Sequence, residues 1–270
     1  MHHPQKILSA ITIYPIKSTA GLPVEESLVQ AEGLAHDRRW AIIDANNAIV
    51  TPRECPQLLT IHTSIAEDAL CILLPNASSV SVPLMPAGKN LLPVTVFDIP
   101  VYGNHLSQAD HLLSVYLKMD CRLIFMDQGC VRHMKSIHGG NAPVSYADTA
   151  PLQLATTATL DALNARLPRP VSMQNFRPNL VISGCSPQEE YGWKEISIGE
   201  VRFSVSEACK RCVVTTLDPL TTRPSTDQEP LRTLATHERH PRGGVRFGIN
   251  LMPQNSGMIR QGDVIKIAMG

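Results

Sequence analysis

Residues 201–217 read VRFSVSEACKRCVVTTL, and this stretch sets the fold class. Its opening, VRFSV, alternates apolar and polar residues, the period of a strand with one buried face. VVTTL at the far end is β-branched and apolar and predicts a second strand over 213–217. Between them stands Cys209-Lys-Arg-Cys212, a C-x-x-C pair between two strand-like runs. The same texture repeats outward. Runs at 7–14 (ILSAITIY, stopped by Pro15), 39–43, 70–74, 80–84, 94–97, 122–125, 180–182, 247–251 and 264–267 are short and apolar. Turn residues separate them, as in Asp44-Ala-Asn-Asn47. Strands at such intervals predict a barrel or sandwich rather than repeated βαβ units, hence a mostly β (α+β) fold.

Two segments carry helical spacing. Ser107 with Asp110 three residues on predicts a capping box and a helix ending near Met119, with Leu112, Leu113 and Tyr116 inward. Residues 157–167 place Leu160, Leu163 and Leu167 on one face, and Pro168 stops them. Both read as packing helices. The segment 127–146 (DQGCVRHMKSIHGGNAPVSY) reads as a long loop; structureless loops beyond ~12–15 residues are usually functional or disordered. A domain boundary is expected just before it, dividing the chain into 1–120 and 121–270.

The 270 residues are 43% hydrophobic and 18% charged, enough apolar material for a core and too much for a disordered chain. Lys+Arg and Asp+Glu number 24 each. Zero net charge excludes a broad nucleic-acid-binding surface but allows a small basic pocket. No apolar run approaches the ~18 residues of a membrane span, and the N-terminus has no secretory h-region. A cytoplasmic, reduced protein is expected. The seven cysteines, an odd number at irregular spacing, fit that compartment better than a disulfide framework.

The C-x-x-C pair admits four readings: half of a structural zinc site with Cys185 and a histidine, a thioredoxin-like dithiol, two unrelated buried thiols, or a single reactive thiolate. In the last, Lys210 and Arg211 favour the charged form of a nearby thiol, and a soft thiolate suits a soft metal. A second unusual segment is Asn175-Phe-Arg-Pro-Asn179, an Arg and two Asn restrained by Pro178. Lys17 in YPIKS and Arg38 in DRRW add cations beside apolar runs. Each alone is an ordinary solvated charge, but arginine suits bidentate capture of phosphate or carboxylate. Gly139-Gly140 and Gly243-Gly244 fit no phosphate-loop pattern.

NFRPNLVISGC (175–185) followed by EACKRCVVTTLDP (207–219) resembles the signature of the MOSC-domain family of molybdenum-cofactor proteins, in its amidoxime-reducing-component-like branch. The resemblance extends through YPIKS (14–18), DRRW (37–40), TPRECPQL (51–58), YADTAPLQL (146–154), EPLRTL (229–234) and GMIRQGDVIKI (257–267), in order over nearly the whole chain. It implies an N-terminal β-barrel-like domain over 1–120 and a C-terminal β-rich MOSC domain over 121–270 with a few packing helices. A molybdenum–molybdopterin would lie between them, and pyridoxal phosphate is not expected. By the same resemblance Cys212 would be the catalytic thiolate on molybdenum. Lys17, Ser18 and Arg38 would surround the phosphate and pterin end, while Asp148, Thr149, Arg177, Asn179, Lys210 and Arg211 would line the site. Lys210 stands where a small residue is common in the mitochondrial branch, and Ala147 and Ala150 replace hydroxyl residues. The implied activity is reduction of N-hydroxylated compounds: amidoximes, hydroxylamines or N-hydroxylated bases. No C-x4-C-x2-C cluster follows the ending, so a separate flavin or iron–sulfur protein is the expected electron donor. Neither nucleic acid nor membrane is an expected partner. The alternative is a cofactor or sulfur carrier using Cys212 as ligand or persulfide.

Overall fold

In the computed structural model, the described residues are 5–86, 90–96, 99–127, 132–135 and 141–268. An eight-stranded sheet is built from β1 (Ile7–Ile13), β2 (Leu22–Val24), β14 (Leu152–Thr156), β15 (Leu180–Ser183), β16 (Glu195–Ile198), β17 (Val201–Arg211), β18 (Val245–Pro253) and β20 (Ile265–Ala268). Its order is β2-β1-β15-β14-β18-β17-β16-β20. Within this sheet, among the described residues, only β14 and β15 pair in parallel, joined through helix α2 (Thr157–Asn164). Leu8, Ile11, Leu154, Leu180, Phe203 and Leu251 close the core on one face of this sheet. Gly248 sits at φ +75°, and a Cβ there would lie 2.4 Å from the Leu154 carbonyl, so β14 and β18 approach this closely only over a glycine.

A four-stranded sheet orders β5 (Trp40–Asp44), β11 (Cys121–Phe125), β10 (Ile99–His105) and β9 (Leu91–Val96). The run WAIID of β5 is buried on both faces: Trp40 and Ile42 join one core with Leu58 and Ile72, while Ala41 and Ile43 join another with Val94 and Ile124. A meander of β6 (His62–Ala66), β7 (Ala69–Leu73) and β8 (Ser79–Pro83) covers the first of these cores. β3 (Glu26–Gln30), β4 (Gly33–Leu34) and β19 (Gly257–Arg260) form a three-stranded sheet. Pairing crosses residue 120 in both directions, through β1 with β15, β3 with β19, and β11 with β5.

The mostly β class holds, with local differences. The strand expected over 213–217 is instead a 3-10 turn, Val213–Thr216. The Thr215 and Thr216 hydroxyls donate to the Cys212 and Val213 carbonyls at 2.9 and 2.8 Å, closing a turn that β-branched composition does not foretell. The first helix is split into a 3-10 turn, Ser107–Ala109, and α1 (Asp110–Leu117). No capping box forms: the Asp110 carboxylate accepts from the Leu123 amide and bonds His105 Nε2 instead. Leu113 is buried, with Leu112 and Tyr116 packed on the same core. α2 ends three residues early, though Leu160, Leu163 and Leu167 do share one cluster. A third helix, α3 (Leu231–His237), went unanticipated. The segment 127–146 is not a structureless loop but holds a hairpin of β12 (Arg132–Lys135) and β13 (Asn141–Val144); its residues 128–131 and 136–140 lie outside the described ones. No helix among the described residues is long and apolar enough to cross a membrane.

Candidate functional site

One cavity of about 520 Å³ is lined by all ten residues singled out in the sequence. Lys17 and Ser18 reach it from the turn after β1, and Arg38 from the turn before β5. Asp148 and Thr149 come from the strap between β13 and β14, and Arg177 and Asn179 from the approach to β15. Lys210 and Arg211 end β17, with Cys212 just beyond. With Arg53, six basic side chains meet one carboxylate, Asp148, among the described residues, in a chain of zero net charge. Such a concentration favours an anionic ligand.

Tyr14 anchors the cationic wall. Its amide donates to Asp37 Oδ1 at 2.8 Å and its hydroxyl to the Pro178 carbonyl at 3.1 Å. The guanidinium carbons of Arg38 and Arg177 each stand 4.3 Å from its ring centroid, within cation–π range. Arg38 Nη1 donates to Asp37 Oδ2 at 2.6 Å and to Asn179 Oδ1 at 2.9 Å. Arg177 donates no side-chain hydrogen bond among the described residues, and burial pulls its pKa down to about 10. Ser18, Arg38 and Arg177 all occupy the left-handed region, at φ 75°, 50° and 55°. Non-glycine residues held there cost energy and cluster at functional sites.

Asn179 is the knot beneath this wall. Its Oδ1 also accepts from the Gln153 amide at 3.2 Å, and its Nδ2 donates to the Thr12 carbonyl at 3.1 Å. Asn175 Nδ2 likewise ties down the Thr215 and Leu217 carbonyls, both at 3.1 Å, fixing the turn that follows Cys212. Across the cavity Lys17 Nζ pairs with Asp148 Oδ1 and donates to the Tyr146 carbonyl at 2.7 Å. Burial pulls the Lys17 pKa down. Burial also works against the Asp148 carboxylate, but Lys17, with Arg38 and Arg53, outweighs it and holds Asp148 below its usual range.

The two thiols separate in role. Cys209 is buried, and burial pushes its pKa up against the pull of Arg211, whose Nη1 lies 3.1 Å from Sγ. Cys212 is exposed, and it lines the cavity. The expected pair of cations on one reactive thiol is therefore redistributed: Arg211 serves Cys209 and the Phe176 carbonyl, while Lys210 Nζ is tethered to the Arg242 carbonyl at 2.8 Å. Both thiols are free, and they differ in setting: Cys209 is buried at a bulge of β17, whereas Cys212 is exposed at the start of the turn beyond it. Among the described residues no three His, Cys, Asp or Glu are grouped to hold a metal ion.

The site residues assigned from the sequence leave out Arg53, Gln153 and Asn250 and, although the segment 175–179 was singled out, Asn175 and Phe176; all five line the cavity, and Tyr14 stands behind it. Arg53 lies within the string TPRECPQL, so a signal existed. Asn250 Nδ2 reaches Thr149 Oγ1 at 3.4 Å from mid-strand β18, and nothing local marked it.

Comparison with known proteins gives two family matches, a MOSC N-terminal beta barrel domain over residues 5–120 and a MOSC domain over 135–266. The chain is similar to mitochondrial amidoxime-reducing component 1 of Mus musculus, at 35% identity covering 96% of this chain and 81% of that protein. It is 31% identical to the Xenopus laevis counterpart, over 96% and 81%. It is also 31% identical to mitochondrial amidoxime reducing component 2 of Bos taurus, over 96% and 82%.

Proposed function

The chain belongs to the MOSC family, with the MOSC N-terminal beta barrel domain attached, and from that premise we propose that it is a molybdenum-cofactor oxidoreductase that reduces N-hydroxylated compounds. The overall reaction takes R–NHOH, two electrons and two protons to R–NH₂ and water. Its substrates are amidoximes, hydroxylamines or N-hydroxylated bases, and its electrons come from a separate flavin or iron–sulfur protein. One observation carries the reading: an exposed thiol, Cys212, opens into a cavity ringed by six basic side chains.

The residues present fit a phosphate-bearing pterin with a soft metal. Arg53 and Arg177 keep their guanidinium donors uncommitted among the described residues, and Arg211 Nε is buried without a hydrogen-bond partner. Such donors suit phosphate and pterin oxygens, and a thiolate suits molybdenum. When bound, the group supplies two-electron chemistry at the metal. Cys212 Sγ would be the protein's metal ligand. Lys17, Ser18, Arg53 and Arg177 would bind the anionic and pterin ends. Asp148, ionised at neutral pH beside Lys17, accepts hydrogen bonds there and donates no proton.

The test is molybdenum and pterin content of protein made in a cofactor-competent host, with reduction of benzamidoxime or 6-hydroxylaminopurine by a chemical electron donor. Stoichiometric molybdenum and turnover are expected. Molybdenum-free protein bearing cyanide-releasable sulfur on Cys212 would overturn the reading in favour of a sulfur carrier.

A further inference from the structure

The strap between β13 and β14 has an unusual property. The carbonyls of Ser145, Tyr146, Ala147 and Asp148, four in succession, each accept from a cationic side chain. Lys17 takes Tyr146. Arg132 takes the other three: Nε donates to Ser145 O at 3.2 Å, and Nη2 to Ala147 O and, at 3.5 Å, to Asp148 O. Arg132 stands on β12 and is 3% exposed. It falls between the two stretches that match known domains, 5–120 and 135–266.

We infer that Arg132 is a positioning residue that fixes the strap 145–148 and, through it, aims Lys17 and Asp148 into the cavity. The inference rests on the functional reading above for what the cavity holds. Arg132 itself is absent from the cavity wall, so it acts through the strap. The strap's remaining freedom is already small, since the Tyr146 amide donates to the Arg38 carbonyl at 3.0 Å and the Ala147 amide reaches Ser145 Oγ at 3.4 Å. Arg132 and Lys17 draw the carbonyls and thereby set the direction in which the chain leaves Asp148. The Arg132 charge also helps hold the Lys17 pKa down, behind the larger effect of burial. The competing reading is a buried arginine that stitches the hairpin to the sheet for stability alone.

Hydrogen exchange and pterin retention on the full-length holoprotein separate the two. In Arg132→Met, amides of 145–149 should exchange at least about ten-fold faster while those of β14 stay protected. Pterin should be lost on dilution about 10- to 100-fold faster, the usual effect of removing an orienting partner. Arg132→Lys should recover part of both, because an ammonium gathers its donors on one nitrogen and cannot span the separate positions of Nε and Nη2. Combining Arg132→Met with Lys17→Met should speed loss less than the product of the single effects, because both act through one strap. Unchanged exchange in the strap overturns the inference, and so does faster exchange with pterin loss unaltered. If Arg132→Met does not fold, Arg132→Lys is read by the same two measurements. Wild-type protein devoid of pterin would sink the functional reading alone, and strap exchange would still decide whether Arg132 holds this segment.

Discussion

Arg177→Ala is expected to empty the site while leaving the cofactor-free fold as stable as before, or more so. The two effects have opposite signs because Arg177 is held for a ligand rather than for the fold. Its guanidinium donates no hydrogen bond among the described residues and stands near Arg38, both over the Tyr14 ring. Burial first, then Arg38, lowers its pKa from 12.5 to about 10. At neutral pH it is charged in both folded and unfolded chains, so folding carries a cost. That cost fades only as pH rises through about 10 toward the unfolded value. Its size is on the order of 1–3 kcal/mol after allowance for partial exposure. Removing the side chain relieves it and forfeits a cation–π contact of about 0.5–1 kcal/mol. Alanine at φ 55° inherits the left-handed backbone cost unchanged. The melting temperature of the empty protein should therefore hold or rise, at about 2–4 °C per kcal/mol for a chain of this size. Occupancy should fall: a hydrogen bond to a charged group contributes about 1.5–3 kcal/mol, or roughly 10- to 150-fold in affinity. Arg177→Lys should restore part of it, since an ammonium lacks the planar fork. Pterin released per chain, read by fluorescence, and melting of protein from a cofactor-deficient host are the two measurements. Unchanged pterin in Arg177→Ala, or a clear drop in melting temperature of the empty chain, would refute the reasoning.

Two further outcomes are expected. Cys212→Ser should abolish turnover and molybdenum retention while fold and pterin content largely persist, whereas Cys209→Ser, which alters a buried thiol, should be much milder; equal loss of metal in both would contradict the division of roles. Glu190 is fully buried, accepts from Thr159 Oγ1 at 2.9 Å, and has its pKa pushed up by burial. The folded chain thus binds the extra proton above pH 4.5, the unfolded value, and stability falls as pH rises from there through the folded pKa. Glu190→Gln should flatten that fall in a melting-temperature series from acid to neutral pH, and an unaltered slope would rule Glu190 out as its source.

What the sequence made legible divides along physical lines. The buried strand β5 was readable because burial on both faces demands a continuous apolar run, as WAIID shows. The site residues were readable as a set because Arg, Lys and Asn beside short apolar runs are few, and the strings holding them stand in a recognisable order. Residues 213–217 were misread because β-branching is compatible with two local structures. Thr215 and Thr216 chose the turn by bonding back three residues, and Asn175, some forty positions away, fixed it. The same limit hid Arg132. A basic residue in an apparent loop becomes an organising group only when the fold brings it to the carbonyls of Ser145, Ala147 and Asp148.

The amides and the cations of the site do different work. Asn179 spends Oδ1 on Arg38 and the Gln153 amide and Nδ2 on the Thr12 carbonyl. Asn175 spends its amide on Ser172, Thr215 and Leu217. Both are committed to the protein, so the asparagines hold the cradle while Arg53 and Arg177 remain free to bind. That division explains how a chain of zero net charge tolerates six cations around one cavity. The left-handed backbone at Ser18, Arg38 and Arg177 costs on the order of 1–3 kcal/mol per residue, and like charges crowd over Tyr14. The web through Asp37, Asn179 and Tyr14 fixes that arrangement in advance. An arriving anion then finds its donors already aimed and loses little affinity to ordering them.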